Sequence, residues 1–220
     1  MDKSAVILTG GFSKSFSSDK GLTVLLNKPL IKFVLDITKE LVEETIIVVS
    51  SDVQAKAYTE VLGSTVKIVV DKCDVRSPLV GALTGFGEAH GEYALLLPCD
   101  TPFVSKDVLA LLVELCIGRN AAIPRWPNGY IEPLHAVYRT EPAMEATQKA
   151  LNEGKLDMRS MIEKLRGIRY VSTLVLQQFD PELRVFFNIN TPLDLKKAER
   201  MLRNGLPKTK LGFWQTSPSP

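Results

Sequence analysis

The chain has 220 residues, 45% of them apolar and 24% charged, with a formal net charge of +2. That balance describes a globular core and excludes a disordered chain; so mild a charge also argues against a nucleic-acid binder, whose basic residues gather on one face. The uninterrupted apolar stretches, such as residues 94–97, fall far short of the roughly 20 residues a membrane helix needs, so no membrane span is expected.

The N-terminus carries Asp2 and Lys3 and then a short apolar run at residues 6–9. It lacks the long apolar segment and small-residue cleavage site of a secretion signal, which predicts a cytoplasmic protein. The run is the first of four β-rich segments, the others lying at residues 45–50, 66–71 and 93–98. Helices are predicted at residues 29–41, with Pro29 in the first turn, at 52–62, at 79–88, and at 105–116 behind Ser105 as cap. Continuous apolar strands alternating with amphipathic helices imply an α/β fold: three α/β/α layers around a mostly parallel, Rossmann-like central sheet covered on both faces.

After Asn120 the rhythm loosens into a strand at 121–124, a turn at Pro127-Asn128-Gly129, a strand at 134–138, helices near 141–152 and 159–165, and a strand at 168–174. A last helix over 192–203 follows the turn Asn188-Ile189-Asn190-Thr191-Pro192. From Gly205 the composition turns to Pro, Ser and Lys. Residues 1–204 therefore read as one domain and 205–220 as a tail, whose Phe213 and Trp214 either dock a partner or, the reading preferred here, pack on that domain. Cys73, Cys99 and Cys116 lie far apart without C-x-x-C spacing, so neither a disulfide framework nor a zinc site is expected, and reduced thiols fit the cytoplasm.

Two places carry chemistry. The strand at 6–9 opens into Gly10-Gly11 and leads to Lys20, an arrangement that lets backbone approach a pyrophosphate and a lysine neutralise it. Taken alone, a glycine pair is as often only a turn. The Walker and G-x-G-x-x-G spacings are absent, which disfavours a P-loop ATPase and a dinucleotide dehydrogenase. The second place is Asp100, just past the apolar strand at 93–98, on the rim where open α/β sheets bind ligands. With no Lys or Arg beside it in sequence, it suits Mg²⁺, which takes one or two carboxylates plus substrate phosphates. Its alternative role as an N-cap is better served by Ser105. His90 and His135 read as structural, since no G-x-S-x-G elbow or H-E-x-x-H pair is present. Lys164, Arg166 and Arg169 read mainly as a solvated face.

In combination these segments resemble the molybdenum cofactor guanylyltransferases, nucleotidyltransferases of the nucleotide-diphospho-sugar transferase type. Five stretches carry the likeness in the family's order: Leu8-Thr9-Gly10-Gly11 through Asp19-Lys20-Gly21, Asn27-Lys28-Pro29-Leu30, Pro78-Leu79-Val80-Gly81, Pro98-Cys99-Asp100-Thr101-Pro102, and Asn188-Ile189-Asn190-Thr191-Pro192. The segment from Glu132-Pro133-Leu134-His135 to Arg139 looks like the one that follows the family's metal aspartate. The resemblance implies that the backbone of Leu8, Thr9, Gly10 and Gly11 contacts the guanine nucleotide, and that Lys20 holds its phosphates. Asp71 would lie near the base and ribose, with Gly81 in the loop beside them. Asp100 and Asn190 would hold Mg²⁺, Asn188 and Asn190 would face the acceptor phosphate, and Lys20 and Asp100 would be catalytic. Where the family loop has an arginine and a third glycine, this chain has Ser15 and Ser17, with Lys14 one position earlier; Ser77 stands where a glycine usually precedes Pro78-Leu79.

The implied activity is transfer of GMP from GTP to the terminal phosphate of molybdopterin, with Mg²⁺ as cofactor. The implied partners are the two substrates and handover proteins in cofactor insertion, with no nucleic acid and no membrane. The N-terminal half would bind the nucleotide and the C-terminal half the acceptor. Cytidylyl transfer to molybdopterin, guanylyl transfer to a cobinamide or lactate phosphate, and a non-catalytic nucleotide- or pterin-binding protein remain open as alternatives.

Overall fold

Short apolar segments form the strands and capped amphipathic segments the helices of the computed structural model, which describes residues 2–9, 19–71, 73 and 75–205. The first half comprises β1 (Lys3–Leu8), the two-residue strands β2 (Val24–Leu25) and β3 (Lys28–Pro29), α1 (Leu30–Thr38), β4 (Glu44–Val49), α2 (Asp52–Leu62), β5 (Lys67–Val70), α3 (Pro78–Glu88), β6 (Tyr93–Pro98) and α4 (Lys106–Cys116). The second half comprises β7 (Ala121–Arg125), β8 (Ala136–Arg139), α5 (Thr140–Asn152), α6 (Met158–Lys164), β9 (Ile168–Ser172), α7 (Thr173–Leu176) and α8 (Pro192–Gly205).

Seven of the strands form one sheet of order β5-β4-β1-β6-β8-β7-β9. The pairs β1/β4, β1/β6, β4/β5 and β7/β9 are parallel, whereas β8 runs against both of its neighbours. The strand period of two sorts the core into two layers. Ala5, Ile7, Ile47, Leu95 and Leu97 face one way, against α1, α2 and α4. Val6, Ile46, Val48, Ala94 and Leu96 face the other, against α3, α5 and α6. This is the three-layer α/β/α arrangement expected from the sequence. Each fully buried Ile, Leu or Val contributes about 1.5–3 kcal/mol relative to exposure, so the central strands anchor the fold.

The chain moves outward from β1 to β4 and β5, then returns across β1 to form β6, which creates a topological switch between β1 and β6. The register sets Leu8 beside both Val48 and Pro98, so the carboxyl ends of β1, β4 and β6 finish level. Helix α3 rides unusually close over them because a Cβ at Gly85 would overlap Val6.

Several elements differ from the sequence reading. The hairpin β2–β3 lies where no strands were expected; its two-residue turn places Leu26 and Asn27 at φ of 47° and 66°, the left-handed geometry that such turns require. Helix α1 starts after Pro29 and ends at Thr38, short of residue 41. The strand expected at 168–174 stops at Ser172, whose hydroxyl accepts from Leu174 N at 3.3 Å and caps α7. Gly81 is not in the loop that the resemblance implies but in the helix expected at 79–88: Pro78 opens α3 at its first turn, and Gly81 lies against Leu8. Helix α8 extends through Gly205, and the remaining tail, including Phe213 and Trp214, lies outside the described residues.

A third, smaller cluster decides where the site closes. Leu25 from the hairpin, Leu30 from α1, and Ile189 and Ala198 from the last segment and α8 bury together. Residues 188–190 are thereby brought back to the first quarter of the chain. No helix among the described residues is long and apolar enough to cross a membrane.

Candidate active site

Asp100 is reached two residues after β6 and is buried, with 7% exposure. Its Oδ2 forms an ion pair with the Lys20 ammonium. The same ammonium donates to Asn190 Oδ1 at 2.5 Å. Three groups from positions 20, 100 and 190 thus meet at the carboxyl ends of the parallel strands. The backbone of Ile189 donates to Asp100 O at 3.0 Å and ties the late segment to the rim. With Ile189 itself buried, Asn188 and Asn190 on either side are exposed. Thr191 caps α8 reciprocally with Asp194, whose carboxylate accepts from both Asn190 N at 3.2 Å and Thr191 N at 2.9 Å.

Lys20 is positioned by neighbours that the sequence reading did not single out. Asp19 accepts from the Tyr58 hydroxyl at 2.6 Å, from Gly21 N at 3.0 Å and from the Gln54 side chain. Gln54 also donates to Thr9 O at 3.3 Å and accepts from Ser50 N at 2.6 Å, linking the ends of β1 and β4 to the Lys20 turn. Gln54 and Tyr58 stand four residues apart on α2, a spacing that puts both on one helix face and offered a sequence signal. Burial pushes the Tyr58 pKa far upward, so its hydroxyl remains a donor.

These groups border a cavity of about 590 Å³, a size usual for small-molecule sites. Leu8, Lys20, Asp71, Gly81, Asp100 and Asn188 all line it, so six of the expected site residues share one space. Asn190 joins through Lys20. Thr9 is turned inward: its hydroxyl donates to Val48 O at 2.7 Å and its backbone N–H to the same oxygen at 3.1 Å. Asp71 follows β5, and its Oδ1 accepts from Cys73 N at 3.0 Å. Arg76, another cavity residue not foreseen, donates to Asp71 O at 3.3 Å. Ser77, in place of the family's glycine, caps α3 by accepting from Val80 N at 3.2 Å. Gly10 and Gly11, with Lys14, Ser15 and Ser17, lie outside the described residues.

The oxygens around Lys20 suit a hard cation. Asp100 Oδ1 is buried without a hydrogen-bond partner, while Oδ2 and the amide oxygen of Asn190 converge on one ammonium. No group of three or more His, Cys, Asp or Glu able to hold a metal occurs among the described residues. One carboxylate and one amide oxygen are the donors that Mg²⁺ takes when substrate phosphates supply the rest.

Among the described residues, neither the cysteine beside Asp100 nor the histidine bordering the cavity is a ready nucleophile or proton shuttle. Burial, followed by the nearby Asp100 charge, holds the Cys99 thiol well above its ordinary pKa. His135 borders the cavity but is buried with both ring nitrogens unpartnered, and desolvation pulls its pKa down to about 4. His90 sits at the opposite end of the sheet, 3.0 Å from Glu44.

A family model described as "MobA-like NTP transferase domain" matches residues 5–168. The molybdenum cofactor guanylyltransferase of Desulfosudis oleivorans is 32% identical over 202 residues, covering 91% of this chain and 96% of that protein. A Methanosarcina mazei protein named "Probable molybdenum cofactor guanylyltransferase" is 32% identical over 216 residues, 96% of this chain and 94% of its own length. Among solved structures, molybdopterin-guanine dinucleotide biosynthesis protein A from Archaeoglobus fulgidus superposes with a TM-score of 0.78 at 28% identity, covering 91% of this chain and 99% of that one. The 2-C-methyl-D-erythritol 4-phosphate cytidylyltransferase of Thermus thermophilus, at 17% identity and a TM-score of 0.66 over 92% of this chain and all of that one, shares the fold.

Proposed function

The chain belongs to the MobA-like NTP transferase family, and from that premise we propose that it transfers the GMP moiety of GTP to the terminal phosphate of molybdopterin. The observation that carries this reading is the convergence of Lys20, Asp100 and Asn190 at the switch-point rim, where Lys20 and Asp100 line a cavity that continues toward both Asp71 and Glu132. An oxygen of the molybdopterin phosphate attacks the α-phosphorus of GTP. The new P–O bond forms as the bond to the β-phosphate oxygen breaks, and pyrophosphate leaves with that electron pair.

A phosphate monoester has a second pKa near 6, so the nucleophile is already largely ionised at neutral pH and needs no general base. This agrees with the absence of a usable histidine beside Asp100. The chain's own tasks are alignment and charge compensation. Lys20, held by the Asp19–Tyr58–Gln54 contacts, neutralises the triphosphate. Asp71 and the first turn of α3 border the base and ribose, and Asn188 and Asn190 orient the acceptor phosphate. Asp100 and Asn190 would hold Mg²⁺, which when bound lowers the charge on the reacting phosphates.

Pyrophosphate release and product mass, measured with Mg²⁺, molybdopterin and either GTP or CTP, test the proposal. A guanylylated pterin formed with GTP alone supports it. Product with CTP alone, or GTP binding without turnover, overturns it in favour of a cytidylyltransferase or a binding protein.

A further inference from the structure

One wall of the cavity carries a carboxylate that the transfer step leaves unused. Glu132 lies between β7 and β8, half-buried, and borders the cavity together with Tyr130 and His135. Its Oε1 accepts from the Trp126 indole N–H at 2.7 Å. The indole is in turn braced by Phe186, with ring centroids 5.6 Å apart. The backbone is fixed as well: Glu132 N donates to Pro124 O at 3.0 Å, His135 N donates to Glu132 O at 3.1 Å, and the Tyr138 hydroxyl donates to Pro133 O at 2.8 Å. Glu132 Oε2 forms no hydrogen bond among the described residues, and burial pushes the carboxyl pKa upward. Such an oxygen is an oriented, partly desolvated acceptor with capacity to spare, and an arriving N–H donor removes the cost of leaving it unpaired.

We propose that Glu132 reads the heterocycle of the acceptor, accepting the ring N–H and the exocyclic amino N–H of a 2-amino-4-oxopyrimidine edge in charge-assisted hydrogen bonds. This rests on the molybdopterin reading given above. Guanine and pterin both carry that edge, and the sheet order assigns the contact to the pterin. Asp71 follows β5 at one extreme of the cavity, Asp100 follows β6 in the middle, and Glu132 precedes β8 beyond it. A phosphate centred on Asp100 therefore has the Asp71 wall on one side and the Glu132 wall on the other. Trp126 acts as a positioning residue that aims the carboxylate.

The test compares wild type with Glu132→Gln, which keeps an amide oxygen for Trp126 but turns the second acceptor into a donor. Fluorescence titration with 6-hydroxymethylpterin is expected to show affinity about 10- to 100-fold weaker in the variant, the loss of one or two charge-assisted hydrogen bonds, with GTP affinity and Tm unchanged. Trp126→Phe is expected to weaken the pterin alone, by about tenfold or less. In the transfer assay Glu132→Gln raises KM for molybdopterin and leaves KM for GTP in place. Unchanged pterin affinity overturns the assignment, and so does an equal loss for GTP, which would make Glu132 a guanine reader or a structural group. Pterin binding that depends on Glu132 in a protein unable to transfer GMP would uphold this inference while overturning the proposed function.

Discussion

At the β1–β4–β5 end of the cavity the wall consists of strand ends and the first turn of α3, held by backbone pairing and by close packing of Gly81 on Leu8. At the β7–β8 end the wall is a loop whose side chains hold one another: Trp126 on Glu132, Phe186 against both Trp126 and His135. The first end tolerates changes in side chains, because backbone pairing holds it. The second is sensitive to single polar atoms and to pH, because its groups are partly or wholly removed from water without full pairing. Lys20, Asp100 and Asn190 lie where the two meet.

The largest expected effect comes from striking that junction. Asp100→Asn preserves shape and leaves an amide oxygen near Lys20, yet removes the carboxylate paired with that ammonium; pyrophosphate release is expected to fall about 10³-fold with an unchanged circular dichroism spectrum. Near wild-type turnover in the folded variant would remove Asp100 from the catalytic centre.

Acidification singles out the β7–β8 wall. The unfolded chain protonates His135 near its ordinary pKa of 6.5, whereas burial holds the folded value at about 4. Stability from this group is complete above pH 6.5 and declines as pH falls from 6.5 toward 4, by at most about 3 kcal/mol. At the opposite end of the sheet, burial raises the Glu44 pKa but is outweighed by hydrogen bonds from Ser4, His90 and Gly91, which bring it to about 2. That contribution is lost only as pH falls from about 4.5 toward 2. Urea melts at pH 7.5 and 5 are therefore expected to show a loss of stability that His135→Leu abolishes. The same loss in the leucine variant would rule His135 out as its source.

The next effect is steric. A Cβ at Gly21 would overlap the Tyr58 hydroxyl, and Tyr58 is fully buried. Gly21→Ala is expected to cost about 1–3 kcal/mol and to raise KM for GTP by displacing the Asp19–Lys20 turn. Unchanged Tm and KM would show that Lys20 does not depend on that anchor. The smallest effect is at Gly81, where an added Cβ would approach Leu8 Cδ2 to 3.3 Å. Gly81→Ala should leave stability within about 1 kcal/mol, since the gain in helix propensity offsets mild crowding. A large drop in Tm would mean that the parallel end is packed as stringently as Gly85.

The legible parts of the fold were those with strong local patterns. Runs such as Ile46, Ile47, Val48 and Val49 can hardly be anything but a buried strand, and Ser105 before a helical segment is a local cap. The segment after Ser172 was not legible, because Thr173-Leu174-Val175-Leu176 suits a strand as well as a helical turn, and one serine hydroxyl decided it. The hairpin at Leu26 and Asn27 escaped because each strand is two residues long, too short for any periodicity. Within the site, Asp71 and Asp100 stood at recognisable strand ends, and Lys20 followed the glycine pair after the first strand. Gln54, Tyr58 and Trp126 did not stand out, since a polar residue on a helix or an aromatic in a loop usually serves packing.

By itself the sequence determined the alternation of strands and helices, the double-faced burial of the central strands and the position of Asp100 on the ligand rim. Each of these depends on the intrinsic geometry of a few consecutive residues. Tertiary structure alone decided that Lys20 meets Asn190 across 170 positions, that β8 reverses to bring Glu132 and His135 to the same rim, and that Gly81 packs on Leu8. Those contacts depend on where separate elements come to rest. The burial of Leu25, Leu30, Ile189 and Ala198 in one cluster fixes the first of them. Hydrophobic burial has no direction along the sequence, so it joins distant segments that no local pattern pairs.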